Sequence, residues 1–262
     1  MEHTSSGIRR ERPLVAVSLK MYLDSAETHE WLRAVAEEVA ERNATAAIDI
    51  VVFPSHVVLE SSVDRLSGTG IELGAQDVST EEIGPFTGEV SAQMIAQVGG
   101  RWAEVGHAER RARFGETDAD VVRKVVSSVR AGLTPLVCIG EQVRGSVEEA
   151  AAVCLRQAAA VLEGLNDYAP DAPVAFAYEP VWAIGAAEPA SVEYIAEVLR
   201  QFRGALPNGR ACSTVIYGGS ARQGIYENIA DVADGLFLGR FAHDPAAFGR
   251  VLDEVLCAPA VR

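Results

Sequence analysis

The chain has 262 residues, of which 48% are hydrophobic, and its formal net charge at pH 7 is −14. This length and apolar content suffice for one large domain with its own core. The strong negative charge repels polyanions, so we expect neither a nucleic acid nor a membrane surface as a partner. An anionic ligand would need a local pocket of positive charge.

The cysteine spacing and the N-terminal residues favour a cytoplasmic protein. The first residues, MEHTSSGIRRERP, are polar and lack the apolar region of a signal peptide. No apolar run reaches the roughly 18 to 20 residues that span a bilayer. We expect residues 1–12 to form a flexible extension before a domain spanning residues 13–262. No C-x-x-C pair or zinc-type spacing occurs among the cysteines, as is typical of reduced thiols; they are Cys138, Cys154, Cys212 and Cys257.

Eight short apolar segments predict β-strands, and they alternate with longer segments of helical periodicity. The strand segments are nearly continuous in apolar residues, as expected for parallel strands covered on both faces. Residues 26–42 and 148–165 have the i, i+3, i+4, i+7 apolar spacing of amphipathic helices. The predicted strands are residues 14–18, 48–53, 71–76, 102–106, 134–140, 173–178, 213–218 and 235–239.

Eight strand–helix units in a chain of this length predict an α/β fold with a single domain, the (β/α)8 barrel, which typically has about 250 residues. The alternative is a doubly wound open sheet, whose glycine-rich fingerprint should follow the first strand. The first strand is followed by KMYLD instead, which favours the barrel.

Polar residues follow several of the predicted strands at their carboxyl ends, where a (β/α)8 barrel places its chemistry. Each has an ordinary structural interpretation: a solvated carboxylate for Glu179, a structural imidazole for His107, and a salt bridge for Lys20. Glycine turns that open helices also bind anions through free N–H groups. The joint placement of these groups at one barrel mouth predicts a catalytic site for an anionic substrate. The residues are Ser18, Lys20, His107, Glu109, Glu179, the turn 218–220 and the pair Gly239–Arg240.

Five sequence segments resemble those of the triosephosphate isomerase family, and the likeness covers nearly the whole chain. AYEPVWAIG resembles the family's signature around its catalytic glutamate, and EVGHAERR resembles its catalytic-histidine segment, usually GHSERR. LVCIGE and IYGGSA resemble further family blocks, and residues 74–94 resemble the loop that enters a neighbouring subunit. The resemblance implies a (β/α)8 TIM barrel, an isomerase acting on a small phosphorylated sugar, and a homodimer.

By position, the resemblance implies a base at Glu179, a neutral imidazole donor at His107 and a charge-stabilising ammonium at Lys20. It implies a lid after Glu179 that closes over the substrate to exclude water, with Glu109 and the Thr87 of a second subunit supporting the site. No metal or organic cofactor is implied. Ser18 would lie beside the substrate, and the phosphate would be held by backbone N–H groups at Gly185, Ser220, Gly239 and Arg240.

The chain departs from the family pattern where the substrate would lie. Ser18 replaces a usual asparagine, Leu19 a tryptophan, and Ala108 the serine after the histidine. The lid tip reads GAAEP at residues 185–189, and Arg240 replaces a glycine, with its side chain directed either to phosphate or to solvent. The lost side-chain volume beside the reacting carbons suits a ketose phosphate with one more hydroxymethyl group.

These departures favour conversion of L-erythrulose 1-phosphate to D-erythrulose 4-phosphate in erythritol catabolism, as in certain relatives within this family. The alternative is the interconversion of dihydroxyacetone phosphate and D-glyceraldehyde 3-phosphate in glycolysis and gluconeogenesis. Two weaker alternatives are a phosphosugar-binding relative without catalysis and a barrel aldolase in which Lys20 forms a Schiff base.

Overall fold

Eight parallel strands close into a barrel in the computed structural model, which describes residues 12–186, 188–206 and 213–258. The strands are β1 Leu14–Ser18, β2 Asp49–Phe53, β3 Ile71–Ala75, β4 Trp102–Val105, β5 Thr134–Ile139, β6 Val174–Tyr178, β7 Ser213–Tyr217 and β8 Gly235–Leu238. They pair in chain order, and β8 returns to β1 with Leu14 opposite Gly235. The predicted single-domain (β/α)8 barrel is confirmed.

All eight predicted strands are present, and seven of them are one residue shorter at one end than predicted. Five of these corrections fall at the carboxyl end. At Gly106 the backbone has a φ of +74°, and at Gly140 a φ of +154°, so the chain leaves the sheet at these positions. Such positive φ angles favour glycine, which lacks a Cβ atom. The turns direct the residues that follow toward the mouth of the barrel.

Helices separate the strands and cover the outer face of the barrel. Helix α1 begins with a capping box, in which the Asp24 side chain accepts the Glu27 N–H and the Glu27 side chain accepts the Asp24 N–H. Within the described ranges no helix is long and apolar enough to cross a membrane. The helices are α1 Ser25–Glu41, α2 Leu59–Leu66, α3 Ala92–Gln97, α4 Ala108–Phe114, α5 Asp118–Arg130, α6 Val147–Asn166, α7 Val192–Ala205, α8 Tyr226–Ile229 and α9 Pro245–Cys257, with 3-10 turns at Ala44–Ala46, His56–Val58, Val181–Ala183 and Arg240–His243.

The strand side chains form two apolar layers. Leu14 and Ala16 pack inside the barrel, whereas Val15 and Val17 join the layer between the strands and the helices. Because successive side chains of a strand point to opposite faces, Ser18 takes the next inward position at the end of β1.

The same alternation applies to β4 and β6. Trp102 and Ala177 pack inside the barrel, so the residues two positions later, Glu104 and Glu179, also face inward. The carboxyl end of the barrel interior is therefore closed by polar side chains above an apolar core. This arrangement places the candidate site.

Only the last residue of the predicted N-terminal extension is described. The Arg12 guanidinium donates a hydrogen bond to the carbonyl oxygen of Ile48 at 2.8 Å. Residues 1–11 lie outside the described residues, so flexibility of the extension stays a prediction.

Three of the four cysteines are described, and all three are free thiols. Cys138 and Cys154 are buried, and Cys257 is exposed. Cys212 lies outside the described residues. Burial in the barrel interior raises the pKa of the Cys138 thiol well above its ordinary value.

Candidate active site

A small pocket opens at the carboxyl ends of the strands, and several sequence-predicted site residues line it. The pocket is small: its empty space, including part of its open mouth, is about 280 Å³. Gly218 and Gly219 of the turn after β7 also line the pocket. The predicted residues that it brings together are Ser18, Lys20, His107, Glu179 and Gly239.

Glu179 follows β6 and is only 3% exposed. Its Oε1 atom lies 3.7 Å from His107 Nε2. Its Oε2 atom is buried and accepts no hydrogen bond from the described residues. Most buried carboxylate oxygens have partners, so this unpaired oxygen is available to a group that enters the pocket.

The glycine pair after β7 allows Glu179 to occupy this position. A Cβ atom on Gly218 would lie 2.9 Å from Glu179 Cγ, and one on Gly219 would lie 2.7 Å from the Tyr217 hydroxyl oxygen. Both distances are shorter than real contacts to a Cβ atom. The glycines are therefore required for close packing at these two positions.

His107 is the N-cap residue of α4 and is 5% exposed. The backbone N–H of Glu109 donates to His107 Nδ1 at 3.2 Å. A backbone N–H can only donate, so Nδ1 carries no proton and the proton of the neutral ring lies on Nε2. His107 therefore presents an N–H donor toward Glu179 and the pocket.

The turn that carries His107 is anchored on both sides. The N–H of Gly106 donates to Glu116 Oε1 at 3.1 Å, and its carbonyl oxygen accepts from Arg111 Nε at 2.8 Å. Glu116 is also bonded to the buried Lys124 at 3.1 Å. These bonds fix the position of the imidazole.

Lys20 has a left-handed backbone with a φ of +53°, which is unusual for a residue other than glycine. The side-chain amide of Gln76 donates to the Lys20 carbonyl oxygen at 3.0 Å and to that of Phe53 at 2.9 Å. Strained backbone of this kind clusters at functional sites, where the surrounding structure holds it in place. Here it directs the ammonium group into the pocket.

The Lys20 ammonium binds Glu109 Oε1 at 2.9 Å, so the salt bridge expected from a structural interpretation is present, although Glu109 is not among the residues that line the pocket. Burial alone would lower the pKa of Lys20, but the hydrogen bond to Glu109 and nearby carboxylates outweigh burial and raise the pKa. Burial raises the pKa of Glu109, but the hydrogen bond and the charge of Lys20 outweigh burial and lower this pKa. A charged Lys20 suits electrostatic stabilisation; a Schiff-base lysine needs its neutral amine.

Glu104 is a buried acidic group beside the pocket that is not among the site residues predicted from the sequence. It is 3% exposed, and Ser18 Oγ donates to its Oε2 atom at 2.8 Å. Burial raises the pKa of Glu104 to about 7. The sequence does contain a signal for Glu104: it is an acidic residue within an otherwise apolar strand, two residues after an inward-facing tryptophan and three before His107.

The predicted phosphate-binding residues are less closely gathered. Gly239 lines the pocket, whereas Gly185 is exposed and is not among the lining residues. The Ser220 N–H donates to the Tyr217 hydroxyl at 3.2 Å. Arg240 is exposed, with its guanidinium 5.8 Å from the centre of the Tyr22 ring. Its side chain therefore packs on Tyr22 and does not line the pocket.

The predicted lid begins at the 3-10 turn Val181–Ala183. Trp182 Nε1 donates to Glu141 Oε1 at 2.7 Å, and Ser220 Oγ donates to the Ala183 carbonyl oxygen at 3.1 Å. These bonds anchor the near end of the lid to the barrel. Ala187 of the lid tip lies outside the described residues.

Thr87 is placed away from the pocket, on the loop between β3 and α3. Residues 81–89 of this loop are all exposed. Ile83 is 90% exposed and Phe86 is 43% exposed, which leaves apolar side chains at the loop tip in contact with solvent.

The described residues contain no group of three or more His, Cys, Asp or Glu side chains placed to hold a metal ion. The pocket gathers one carboxylate, one imidazole and one ammonium group, from Glu179, His107 and Lys20. These groups can transfer a proton and stabilise an oxyanion.

Comparison with known proteins assigns the chain to a family. The family model described as triosephosphate isomerase matches residues 13–255. The chain is 42% identical to an L-erythrulose-1-phosphate isomerase of Pectobacterium atrosepticum over 92% of this chain and 94% of that protein. It is 34% identical to a probable triosephosphate isomerase 2 of Listeria monocytogenes, over 93% and 97% of the two chains.

A second L-erythrulose-1-phosphate isomerase, of Rhizobium etli, is 36% identical over 93% of this chain and 92% of its own length. The crystal structure of triosephosphate isomerase from Bartonella henselae aligns with a TM-score of 0.77 at 27% identity, covering 94% of this chain and 99% of that chain. The barrel, the gathered side chains and these matches agree. The chain belongs to the triosephosphate isomerase family and is an isomerase.

Proposed function

We propose that the chain converts L-erythrulose 1-phosphate to D-erythrulose 4-phosphate in erythritol catabolism, without a metal or organic cofactor. The observation that carries the reaction type is the buried Glu179 carboxylate, with one unpaired oxygen, beside the Nε2 atom of His107. The substrate is supported by the two relatives that carry this activity in their names. It is also supported by the small Ser18 side chain in the pocket.

The proposed proton transfer uses three side chains that line the pocket. Glu179 removes the proton from C3, and the electron pair moves toward the C2 carbonyl, which gives an enediolate with its charge on O2. His107 gives its Nε2 proton to O2 and takes the proton of O3, while Lys20 stabilises the negative charge. Glu179 then returns its proton to C2, and the carbonyl group has moved to C3.

The phosphate-binding role of Gly185, Ser220, Gly239 and Arg240 belongs to this proposal. A lid that closes would bring the Gly185 N–H toward the substrate and exclude water, which prevents loss of phosphate from the enediolate. The Arg240 contribution would come from its backbone N–H at the start of a 3-10 turn, since its side chain packs on Tyr22.

The substrate assignment predicts a preference that steady-state kinetics can measure. We expect kcat/KM for L-erythrulose 1-phosphate to exceed that for dihydroxyacetone phosphate by at least about 10-fold, since pocket shape discriminates on this scale. Both substrates should be assayed on one preparation, with the Glu179→Gln protein purified in parallel to measure contaminating host isomerase. Efficient turnover of the triose with none of the tetrulose would reject the assignment in favour of an ordinary triosephosphate isomerase.

We also propose that the enzyme is a cytoplasmic homodimer in which Thr87 of one subunit supports the Lys20 region of the other. The exposed apolar side chains of the 81–89 loop support this assembly, as does Met21 next to Lys20, which is 95% exposed. Two-fold dimers are the commonest closed assemblies of soluble proteins.

Sedimentation at micromolar concentration should give twice the chain mass of 27.9 kDa. Replacing Ile83 with aspartate should shift the protein toward the monomer, because a charge would replace an apolar contact. Replacing the exposed Val143 with aspartate is the matched control on another loop. A wild-type mass of one chain would contradict the proposed dimer.

A further inference from the structure

Glu104 is a buried acidic side chain that the proton transfer described above does not use. It faces the barrel interior from β4 and accepts the Ser18 hydroxyl proton at an O–O distance of 2.8 Å. Ser18 lines the pocket with Lys20, His107 and Glu179, whereas Glu104 is not among the lining residues. Glu104 therefore contacts the pocket through the Ser18 hydroxyl, and it also acts electrostatically on Lys20, His107 and Glu179.

We propose that Glu104 is a positioning residue that fixes the direction of the Ser18 hydroxyl, so that Ser18 Oγ accepts a hydrogen bond from the terminal hydroxymethyl group of a tetrulose phosphate. This inference rests on the proposed function. It identifies the side-chain pair that distinguishes the longer sugar from a triose.

The direction of the hydrogen bond follows from the chemistry of the two groups. A serine hydroxyl has one proton to donate and two lone pairs that accept, whereas an ionised carboxylate only accepts. The bond to Glu104 therefore uses the single proton of Ser18, and the lone pairs of Ser18 Oγ remain for the pocket. The tetrulose differs from the triose by a hydroxymethyl group, whose O–H can donate to these lone pairs.

The protonation state of Glu104 controls this arrangement. Burial raises the pKa of Glu104 to about 7, against the opposing effects of nearby positive groups and of the Ser18 hydrogen bond. Above this pH the carboxylate accepts from Ser18. Below it the protonated carboxyl can donate to one lone pair of Ser18 Oγ, which frees the serine proton to point into the pocket, so that a donor competes there with the one remaining lone pair. The titratable groups around Glu104 are Lys20 after β1, His107 after β4, Cys138 on β5 and Glu179 after β6.

The test is a ratio of two rates measured on one protein. We define it as kcat/KM for L-erythrulose 1-phosphate divided by kcat/KM for dihydroxyacetone phosphate. Both substrates use Glu179, His107 and Lys20, and both carry a phosphate, so pH effects that act through these shared groups cancel in the ratio. We expect the wild-type ratio to rise as the pH increases through about 7.

Two variants should each remove this behaviour. Ser18→Ala deletes the hydroxyl. Glu104→Gln places both a hydrogen-bond donor and an acceptor beside Ser18, so the direction of the Ser18 O–H bond is no longer fixed. Each should lower the ratio above pH 7 by roughly 10- to 100-fold and make it independent of pH. The double variant should show no further loss, because the two residues act as one unit.

Ser62→Ala is the matched control. Ser62 is also fully buried and its hydroxyl donates to the Val58 carbonyl oxygen at 2.6 Å, but it lies on α2, away from the pocket. The ratio of the two kcat/KM values for Ser62→Ala should show the same pH dependence as the ratio for the wild-type protein.

The inference is overturned if the wild-type ratio is constant across pH 7, or if Ser18→Ala keeps the wild-type ratio. The size of the wild-type ratio tests the proposed function, whereas its change with pH and with the two variants tests the pairing of Glu104 with Ser18. The two failures are therefore distinguishable.

Discussion

Replacement of Glu179 with glutamine is expected to lower kcat on every small sugar phosphate by about 10²- to 10⁴-fold, the range that a positioned general base contributes. The amide has nearly the same shape as the carboxylate, so it fits the space that Gly218 leaves open. It cannot accept a proton from carbon. Because the lost interaction belongs to the transition state, kcat should fall much more than KM rises.

Steady-state kinetics and solvent deuterium incorporation measure this effect independently. The variant should no longer exchange deuterium into the substrate, whereas the wild-type protein should. Glu193→Gln is the matched control, since Glu193 is an exposed glutamate in the first turn of α7. Undiminished turnover by the Glu179 variant would remove the basis of the proposed mechanism. A wild-type protein without exchange would favour the non-catalytic alternative.

The strands could be predicted because the apolar pattern that defines each one lies within a short segment of the sequence. A parallel strand covered on both faces must be apolar along its length, and all eight such segments became strands. Their ends depend on backbone angles such as that of Gly140, which a pattern of apolar residues does not contain. The same local logic gathered Lys20, His107 and Glu179, since each follows a strand and strand ends converge in a barrel.

The remaining features of the site depend on contacts between distant segments. Glu104 and Ser18 are 86 residues apart and meet only because both side chains point into the barrel interior. The sequence leaves two orientations for the Arg240 side chain, toward the phosphate or toward solvent. In the structure it packs on Tyr22, outside the pocket. Glu104 is the exception. Its inward position follows from the two-residue alternation of a strand, so the sequence alone could have indicated it.

The turn that carries His107 depends on a buried ionic cluster that the sequence did not reveal. Lys124 is 5% exposed and its ammonium lies 2.6 Å from Asp77 and 3.1 Å from Glu116. Arg110 approaches the same two carboxylates at 2.8 and 3.2 Å from a more exposed position. Two acidic side chains therefore share one buried cation and one partly exposed cation.

Lys124→Met is expected to lower the free energy of unfolding by about 3 to 5 kcal/mol, because removal of one partner leaves buried charge without compensation. Arg110 remains, which favours the lower end of that range. Arg123→Met on the same helix is the matched control: its pair with Asp120 is exposed, and its loss should cost about 1 kcal/mol or less. Denaturant titration of the three proteins measures both differences.

The loss of unfolding free energy in Lys124→Met should also depend on pH, and Asp77 determines whether it grows or shrinks as the pH rises. Burial raises the pKa of Asp77 above its ordinary value of 3.8, while the charge of Lys124 lowers it. Without Lys124 the pKa of Asp77 in the folded protein rises further. The folded variant therefore binds more protons than its unfolded chain over a wider range of pH. The deficit relative to wild type should grow as the pH rises above 3.8 and shrink as it falls toward that value. A deficit independent of pH would indicate that Lys124 acts through packing of its aliphatic chain, and that the His107 turn does not depend on this charge.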